Sequence, residues 1–250
     1  MIGQPGLDRA AGVADRLRFG GIVKICGLRR PDDAVIAATV GADLIGFIFA
    51  PARRQVTAQV AREAVAAARE AVAGGGPLAV GVFVDATTDE MNRIADAADL
   101  DLLQLHGHEL PKSLARLERP VMKAFRPRTD VSAPQLEREI GVYSAVFTPP
   151  AVYLIDGFSE RAAGGEGIRA DWLLAARMSQ LFPVMLAGGL DAANVDAAIE
   201  AVGPHGVDVS SGVEHDGEKD PALIETFVTT AKIAFLRRSA LASPQDRRSD

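Results

Sequence analysis

Short apolar segments that end in polar or glycine residues recur along this chain, and stretches rich in helix-forming residues separate them. Such segments, apolar on both faces and alternating with helices, are typical of a parallel sheet covered on its outer face. Eight repeats in 250 residues favour a closed α/β barrel, the (β/α)8 TIM barrel, over an open doubly wound sheet. The predicted strands are 22–26, 44–49, 78–84, 102–105, 121–125, 152–155, 184–186 and 207–209.

Helix-start and helix-stop signals fall between the predicted strands. Thr57 is a candidate N-cap for a helix over 58–72, Thr87 precedes the next helix, and Pro221 opens the last one after Asp220. The fifth unit fits least well, because Pro134 lies inside its predicted helix, 129–140, and 141–150 is an extra stretch. We therefore predict eight strand and helix pairs.

The ends of the chain differ in composition from the rest. The first 20 residues mix charges with small residues and lack the continuous apolar core of a signal peptide. No apolar run approaches the roughly 20 residues that span a bilayer. We expect a flexible leader at 1–20, one TIM-barrel catalytic domain at 21–236 and a flexible tail at 237–250.

Charge and cysteine content narrow the classes of partner. A formal net charge of −6 argues against a nucleic-acid or anionic-membrane surface, which would carry a basic stripe. One cysteine excludes an internal disulfide and fits a reducing compartment, so we expect a cytoplasmic protein. The four histidines have no spacing typical of a metal site, and we predict no metal.

Two predicted strands end in residues that could transfer a proton. Cys26 ends the first strand and Asp156 ends the sixth, and the carboxyl ends of barrel strands carry the active site. A thiolate and a carboxylic acid across the barrel mouth could move a proton on a sugar without a cofactor. A lone cysteine is also often a small buried hydrophobe, and Asp156 could simply cap a turn.

The last two loops of the predicted barrel are rich in glycine and serine. Gly188 and Gly189 follow strand seven, and Ser211 and Gly212 follow strand eight. In TIM barrels these loops frequently bind a phosphate through backbone N–H groups. The order and position of the two loops therefore predict a phosphorylated small-molecule ligand.

A second anion site is predicted after strand two. Arg54 could bind a carboxylate bidentately, although Arg53 beside it is an alternative. His106, at the end of strand four, could assist Arg54 or simply form a hydrogen bond within the rim.

Several segments together resemble the phosphoribosylanthranilate isomerase family of tryptophan biosynthesis, in order from about residue 22 to 235. They are Lys-Ile-Cys-Gly-Leu from 24, Gly-Ala-Asp-Leu-Ile-Gly-Phe-Ile-Phe from 41, Gly-Val-Phe-Val from 81, Leu-Gln-Leu-His-Gly-His-Glu from 103, Leu-Ala-Gly-Gly-Leu from 186 and Val-Asp-Val-Ser-Ser-Gly-Val-Glu from 207.

The resemblance implies a cofactor-free Amadori rearrangement of N-(5-phosphoribosyl)anthranilate to 1-(2-carboxyphenylamino)-1-deoxyribulose 5-phosphate, in a ribulose-phosphate-binding TIM barrel that is a monomer or homodimer. By that similarity Asp156 is the general acid and Cys26 the base. Arg54 and His106 would hold the anthranilate carboxylate. The residues implied to bind the phosphate are Gly165, Gly188, Gly189, Ser211 and Gly212.

The chain departs from the family pattern at two loops. The loop that contains Ala52-Arg53-Arg54 is one residue shorter than is usual in the family. Glu166 stands where the Gly-Gly-Thr/Ser-Gly motif of the family has threonine or serine. Two alternatives stay open, the related phosphosugar isomerase of the histidine pathway and a non-catalytic phosphosugar-binding barrel. The first has aspartate where this chain has Cys26, and the presence of both Cys26 and Asp156 opposes the second.

Overall fold

Eight parallel strands close into a barrel in the computed structural model, which describes residues 20–74, 76–157 and 170–242. Each strand pairs with the next along the chain, and the last pairs with the first. The predicted TIM barrel is confirmed. The strands are β1 Ile22–Cys26, β2 Leu44–Ile48, β3 Leu78–Phe83, β4 Leu102–Leu105, β5 Val121–Phe125, β6 Val152–Ile155, β7 Val184–Leu186 and β8 Gly206–Val209.

Helices surround the barrel, and three of them begin at the predicted cap residues. Thr57 accepts a hydrogen bond from the Val60 N–H, Thr87 from the Glu90 N–H, and Asp220 from the first turn of the last helix. The α-helices of the described ranges are α1 Pro31–Thr39, α2 Ala58–Glu70, α3 Thr88–Ala98, α4 Ala133–Ser144, α5 Trp172–Ser179, α6 Val195–Val202 and α7 Pro221–Ala242. None of them combines the length and the hydropathy needed to cross a membrane.

The prediction of eight strand and helix pairs is wrong at the fourth pair, which consists of β4 and the segment that follows it. Between β4 and β5 the chain forms a 3₁₀ helix, Pro111–Arg116, and Leu117 is already extended. Pro120 disfavours the helical conformation at Arg119, so that no helix continues into β5.

The fifth helix starts later than predicted, which explains its proline. Pro134 lies in the first turn of α4, where its missing N–H needs no partner. The Ser132 N–H donates to Gln135 Oε1 at 2.8 Å, and this contact closes a capping box. The helix continues to Ser144, so that the first residues of the extra stretch 141–150 are its last turn.

The last helix corrects the predicted start of the tail. Residues 237–242 continue α7, and Arg237 pairs with Asp196 on α6 while Arg238 donates to the Glu200 carbonyl at 3.3 Å. These arginines favour a helix and reach the neighbouring one. Residues 243–250 and the predicted leader, apart from Gly20, lie outside the described residues.

Two apolar layers form the core. One fills the space between the strands and the helices, and the other lies inside the barrel, with Ile22, Leu102 and Leu154 among its members. Because side chains alternate along a strand, Lys24 and Cys26 point inward with Ile22, and Gln104 and His106 point inward with Leu102. A short antiparallel hairpin, β9 Glu214–His215 and β10 Glu218–Lys219, follows β8.

Candidate active site

Three of the predicted site residues lie at the carboxyl ends of β1, β4 and β6. Cys26, His106 and Asp156 are all buried there. His106 Nε2 lies 3.4 Å from Asp156 Oδ2, and the Gly157 N–H donates to Asp156 Oδ1 at 2.8 Å. The structure therefore places His106 beside the predicted acid.

Burial dominates the chemistry of Cys26, which is 6% exposed. Burial raises the pKa of the thiol, and the nearby Lys24 ammonium opposes this rise. A Cβ on Gly46 would lie 2.8 Å from the Cys26 sulfur and 3.1 Å from Lys24 Cε, which shows how closely the barrel wall approaches both side chains. The resting thiol therefore carries its proton at neutral pH.

A buried polar network lies one layer below the mouth. Lys24 Nζ donates to Gln104 Oε1 at 2.9 Å and to Asp208 Oδ2 at 3.0 Å, and Gln104 Nε2 lies 2.9 Å from His106 Nδ1. Burial alone would lower the pKa of Lys24, but the nearby Asp208 carboxylate raises it above the ordinary value. Lys24 is therefore an ammonium ion inside the barrel.

Sequence reasoning assigned no role to this network, although a signal was present. Lys24 stands two residues before Cys26, and Gln104 stands two before His106, each within an apolar strand. A polar residue two positions before a strand-end candidate shares its face, and it therefore points into the barrel beneath the site.

Arg54 is buried at the mouth and is paired with an acid that the sequence did not single out. Arg54 Nε lies 2.6 Å from Glu214 Oε1, and Nη2 lies 2.8 Å from Oε2, which is a bidentate contact. Lys219 Nζ donates to the same carboxylate at 3.0 Å. Burial would raise the pKa of Glu214, but Arg54 and Lys219 hold it at about 2.

The two adjacent arginines occupy different environments. Arg54 is 8% exposed, and a Cβ on Gly27 would lie 2.6 Å from Arg54 Cδ, so that its stem packs beside the residue that follows Cys26. The Arg53 side chain is half-exposed and donates to the Gly217 carbonyl at 2.6 Å as well as to Glu214. Of the two, Arg54 is the one at the barrel mouth.

The loops after β7 and β8 pack backbone against backbone. Gly188 and Gly189 have φ of 89° and 62°, a left-handed conformation that favours glycine. A Cβ on Gly212 would lie 1.9 Å from the Leu190 carbonyl oxygen, so only glycine fits. Ser211 opens a 3₁₀ helix, Ser211–Val213. The predicted phosphate ligand Gly165 lies outside the described residues, as does Glu166.

Comparison with known proteins assigns the family. The model of the family described as N-(5'-phosphoribosyl)anthranilate (PRA) isomerase matches residues 23–230. The chain belongs to this family. A relative from Desulforudis audaxviator named N-(5'-phosphoribosyl)anthranilate isomerase is 42% identical over 214 residues, which cover 86% of this chain and 99% of the relative.

Solved structures agree with the assignment to the PRA isomerase family. Phosphoribosyl anthranilate isomerase from Thermotoga maritima has a TM-score of 0.72 and 30% identity, over 84% of this chain and 98% of that one. Another structure of phosphoribosyl anthranilate isomerase, with a TM-score of 0.69, 30% identity and the same coverage, is a complex with reduced 1-(O-carboxyphenylamino)-1-deoxyribulose 5-phosphate. The predicted resemblance is confirmed, and it favours the PRA isomerase interpretation over a histidine-pathway isomerase.

The described part of this PRA isomerase family member offers acid–base chemistry and hydrogen-bond donors at its mouth. Its Asp, Glu, His and Cys side chains form no group of three or more that could hold a metal ion. The candidate site is thus a thiol, a carboxyl group and an imidazole, with Arg54 at one side and the glycine-rich loops as the predicted phosphate site.

Proposed function

We propose that this chain catalyses the Amadori rearrangement of N-(5-phosphoribosyl)anthranilate without a cofactor. The observation that carries the proposal is the position of Cys26, His106 and Asp156, all buried at the carboxyl ends of strands in a barrel of this family, with His106 Nε2 3.4 Å from Asp156 Oδ2. An acid and a base are sufficient, because the reaction only moves protons within one molecule and needs no oxidant or reductant.

Asp156 is the proposed general acid in the first step. It donates a proton to the furanose ring oxygen as the bond from that oxygen to C1 breaks, and the anthranilate nitrogen supplies the electron pair that forms a protonated Schiff base. The Gly157 N–H, 2.8 Å from Asp156 Oδ1, then stabilises the carboxylate that remains.

Cys26 is the proposed base in the second step. It removes the proton from C2, and the electron pair of that bond moves toward the iminium carbon and leaves an enolamine. The enolamine then takes a proton at C1 while its C2 hydroxyl gives up a proton, so that C2 becomes the ketone. Because the resting thiol is protonated, the thiolate must form first, and the Lys24 ammonium reduces the cost of that charge.

The two ends of the substrate are proposed to bind at opposite anion sites. The phosphate takes backbone N–H groups of the glycine-rich loops, with Gly165, Gly188, Gly189, Ser211 and Gly212 as ligands. The anthranilate carboxylate takes Arg54. A guanidinium matches a carboxylate bidentately, as Arg54 already does with Glu214.

His106 is the one binding residue whose surroundings modify the role implied by resemblance. Its Nε2 faces Asp156 at 3.4 Å. We therefore propose that it acts on the acid rather than on the substrate carboxylate. We further propose a cytoplasmic enzyme that is a monomer or a homodimer, which sedimentation of the purified chain would distinguish.

The deciding assay follows the fluorescence of the anthranilate group. Freshly made N-(5-phosphoribosyl)anthranilate is mixed with the purified chain, and we expect its fluorescence to change as the product forms, at a rate proportional to the protein concentration. A chain that binds the reduced product analogue but gives no turnover would instead be a phosphosugar-binding barrel.

A further inference from the structure

The direction of the hydrogen bonds in the buried network is set at Lys24. An ammonium group has three N–H donors and no acceptor. Lys24 is fully buried, and its Nζ lies 2.9 Å from the side-chain amide of Gln104. Gln104 must therefore turn its carbonyl oxygen to Lys24, since the opposite orientation would set N–H groups against each other.

The orientation of Gln104 in turn sets the orientation at His106. With its oxygen on Lys24, the Gln104 NH₂ group lies 2.9 Å from His106 Nδ1 and can only donate. His106 Nδ1 must then accept, which requires a lone pair on that nitrogen. In a neutral imidazole the proton consequently sits on Nε2.

The proton on Nε2 faces the proposed acid. Asp156 Oδ2 is 3.4 Å from Nε2, longer than a full hydrogen bond, and Nε2 has no other hydrogen-bond partner among the described residues. An N–H in this position favours the carboxylate of Asp156. A lone pair there would favour the protonated acid, because it would accept the proton of Asp156.

We infer that Gln104 is a positioning residue that holds His106 in the Nε2–H tautomer, so that this N–H stabilises the Asp156 carboxylate as it forms. The inference rests on the proposed function for the role of Asp156. The stabilisation develops only after the acid has given up its proton, so it raises kcat and leaves substrate binding unchanged.

The first test reads the tautomer directly and needs no activity. The chain is labelled with ¹⁵N-histidine, and the His106 signals are assigned as those lost in His106→Asn. We expect a pyrrole-type shift for Nε2 and a pyridine-type shift for Nδ1 at neutral pH. The reverse pattern in the unaltered protein would overturn the inference.

The second test replaces the N–H donor that faces His106 Nδ1 with an acceptor. Gln104→Glu keeps the shape but removes the NH₂ group, so its carboxylate accepts from Lys24 and draws a proton onto His106 Nδ1. We expect the Nδ1 shift to become pyrrole-type and kcat to fall by about 100-fold, with KM close to that of the unaltered protein. The matched control is Gln59→Glu, the same change at an exposed glutamine on α2.

The outcomes separate this inference from the proposed function. If the unaltered chain shows the Nε2–H tautomer but no isomerase activity, the proposed function fails and the hydrogen-bond order stands. If the chain is active and Gln104→Glu changes the tautomer without lowering kcat, the role of Gln104 in catalysis is wrong. A rise in KM alone would assign His106 to binding of the carboxylate instead.

Discussion

Cys26 and Asp156 have different local environments although both are buried side chains at strand ends. Burial raises the pKa of the Cys26 thiol and so favours its protonated form, while Lys24 favours the thiolate. Asp156 accepts a hydrogen bond from the Gly157 N–H at 2.8 Å. The proposed base and acid thus each carry a neighbour that stabilises the charge it acquires during the reaction.

Removing either proton-transfer group should abolish most of the turnover. We predict that Cys26→Ser and Asp156→Asn each lower kcat by about 100-fold or more, the scale of a positioned general base or acid. Binding of the reduced product analogue should be nearly unchanged, because neither residue belongs to an anion site. Stopped-flow kinetics with a titration of the analogue would measure both quantities, and near-normal turnover would exclude that residue from the mechanism.

The adjacent arginines offer a matched pair of variants. We predict that Arg54→Ala weakens kcat/KM by about 2 to 3 kcal/mol, because the substrate carboxylate loses charge-assisted hydrogen bonds, while Arg53→Ala changes little. The buried position of Arg54 beside Gly27 supports this choice. Steady-state kinetics of both variants checks the prediction, and a larger loss in Arg53→Ala would mean that the shorter loop shifts the register by one residue.

At the scale of elements, the β9–β10 hairpin and the loop after β2 are joined by one carboxylate. Glu214 accepts from Arg53, Arg54 and Lys219, and Lys219 also donates to the Ser210 carbonyl at 2.8 Å. The proposed carboxylate site and the loop after β8 therefore share a structural support. Holding this contact requires the glutamate to be ionised.

The contacts of the Glu214 carboxylate should be lost in acid over a defined pH range. Glu214 has a folded-state pKa of about 2 against an ordinary 4.5, so its stabilisation is complete above the unfolded value and is lost as pH falls from there toward about 2. We predict that Glu214→Gln is less stable at neutral pH, by an amount on the order of 3 kcal/mol, and loses less stability over that range.

Urea unfolding at a series of pH values would measure this difference. The control is Glu218→Gln, in the same hairpin, where the carboxylate is more than half exposed and pairs with Arg29. It should follow the unaltered protein closely. Parallel curves for Glu214→Gln and the unaltered protein would contradict the assigned cause.

At the scale of the whole molecule, a buried ion pair joins the first and last strands of the barrel. Lys24 and Asp208 are register partners on β1 and β8, and their charged groups lie 3.0 Å apart. Burial raises the pKa of Asp208, and Lys24 opposes this rise. The pair therefore spans the seam where the sheet closes, directly below the proposed site.

Breaking this pair on one side should be costly. We predict that Lys24→Met destabilises the fold by about 3 to 5 kcal/mol, because Asp208 is left as an uncompensated buried charge, and that adding Asp208→Leu recovers much of the loss. Denaturant unfolding gives both values. The control Lys232→Met removes a partly exposed partner of Asp43 and should cost about 0 to 1 kcal/mol; an equal loss in both lysine variants would refute the argument.

Much of the architecture follows from local chemistry. The apolar segments predicted the bounds of the strands within about one residue. The cap residues predicted the starts of α2, α3 and α7, because helix starts depend on nearby residues. The same rule placed Cys26, His106 and Asp156 at strand ends that share one mouth. The exceptions were the 3₁₀ helix of the fourth unit, the later start of α4, and the start of the tail, where contacts with α6 accompany the longer α7.

The partners of the site residues were decided only by the tertiary structure. Lys24 meets Gln104 across 80 residues and Asp208 across 184, and Arg54 meets Glu214 across 160. Nothing local to any of these residues specifies its partner, because the pairing depends on which strands become neighbours and on how the sheet closes. The sequence thus determined which groups reach the mouth, whereas barrel closure decided which charge and which hydrogen bond each of them receives.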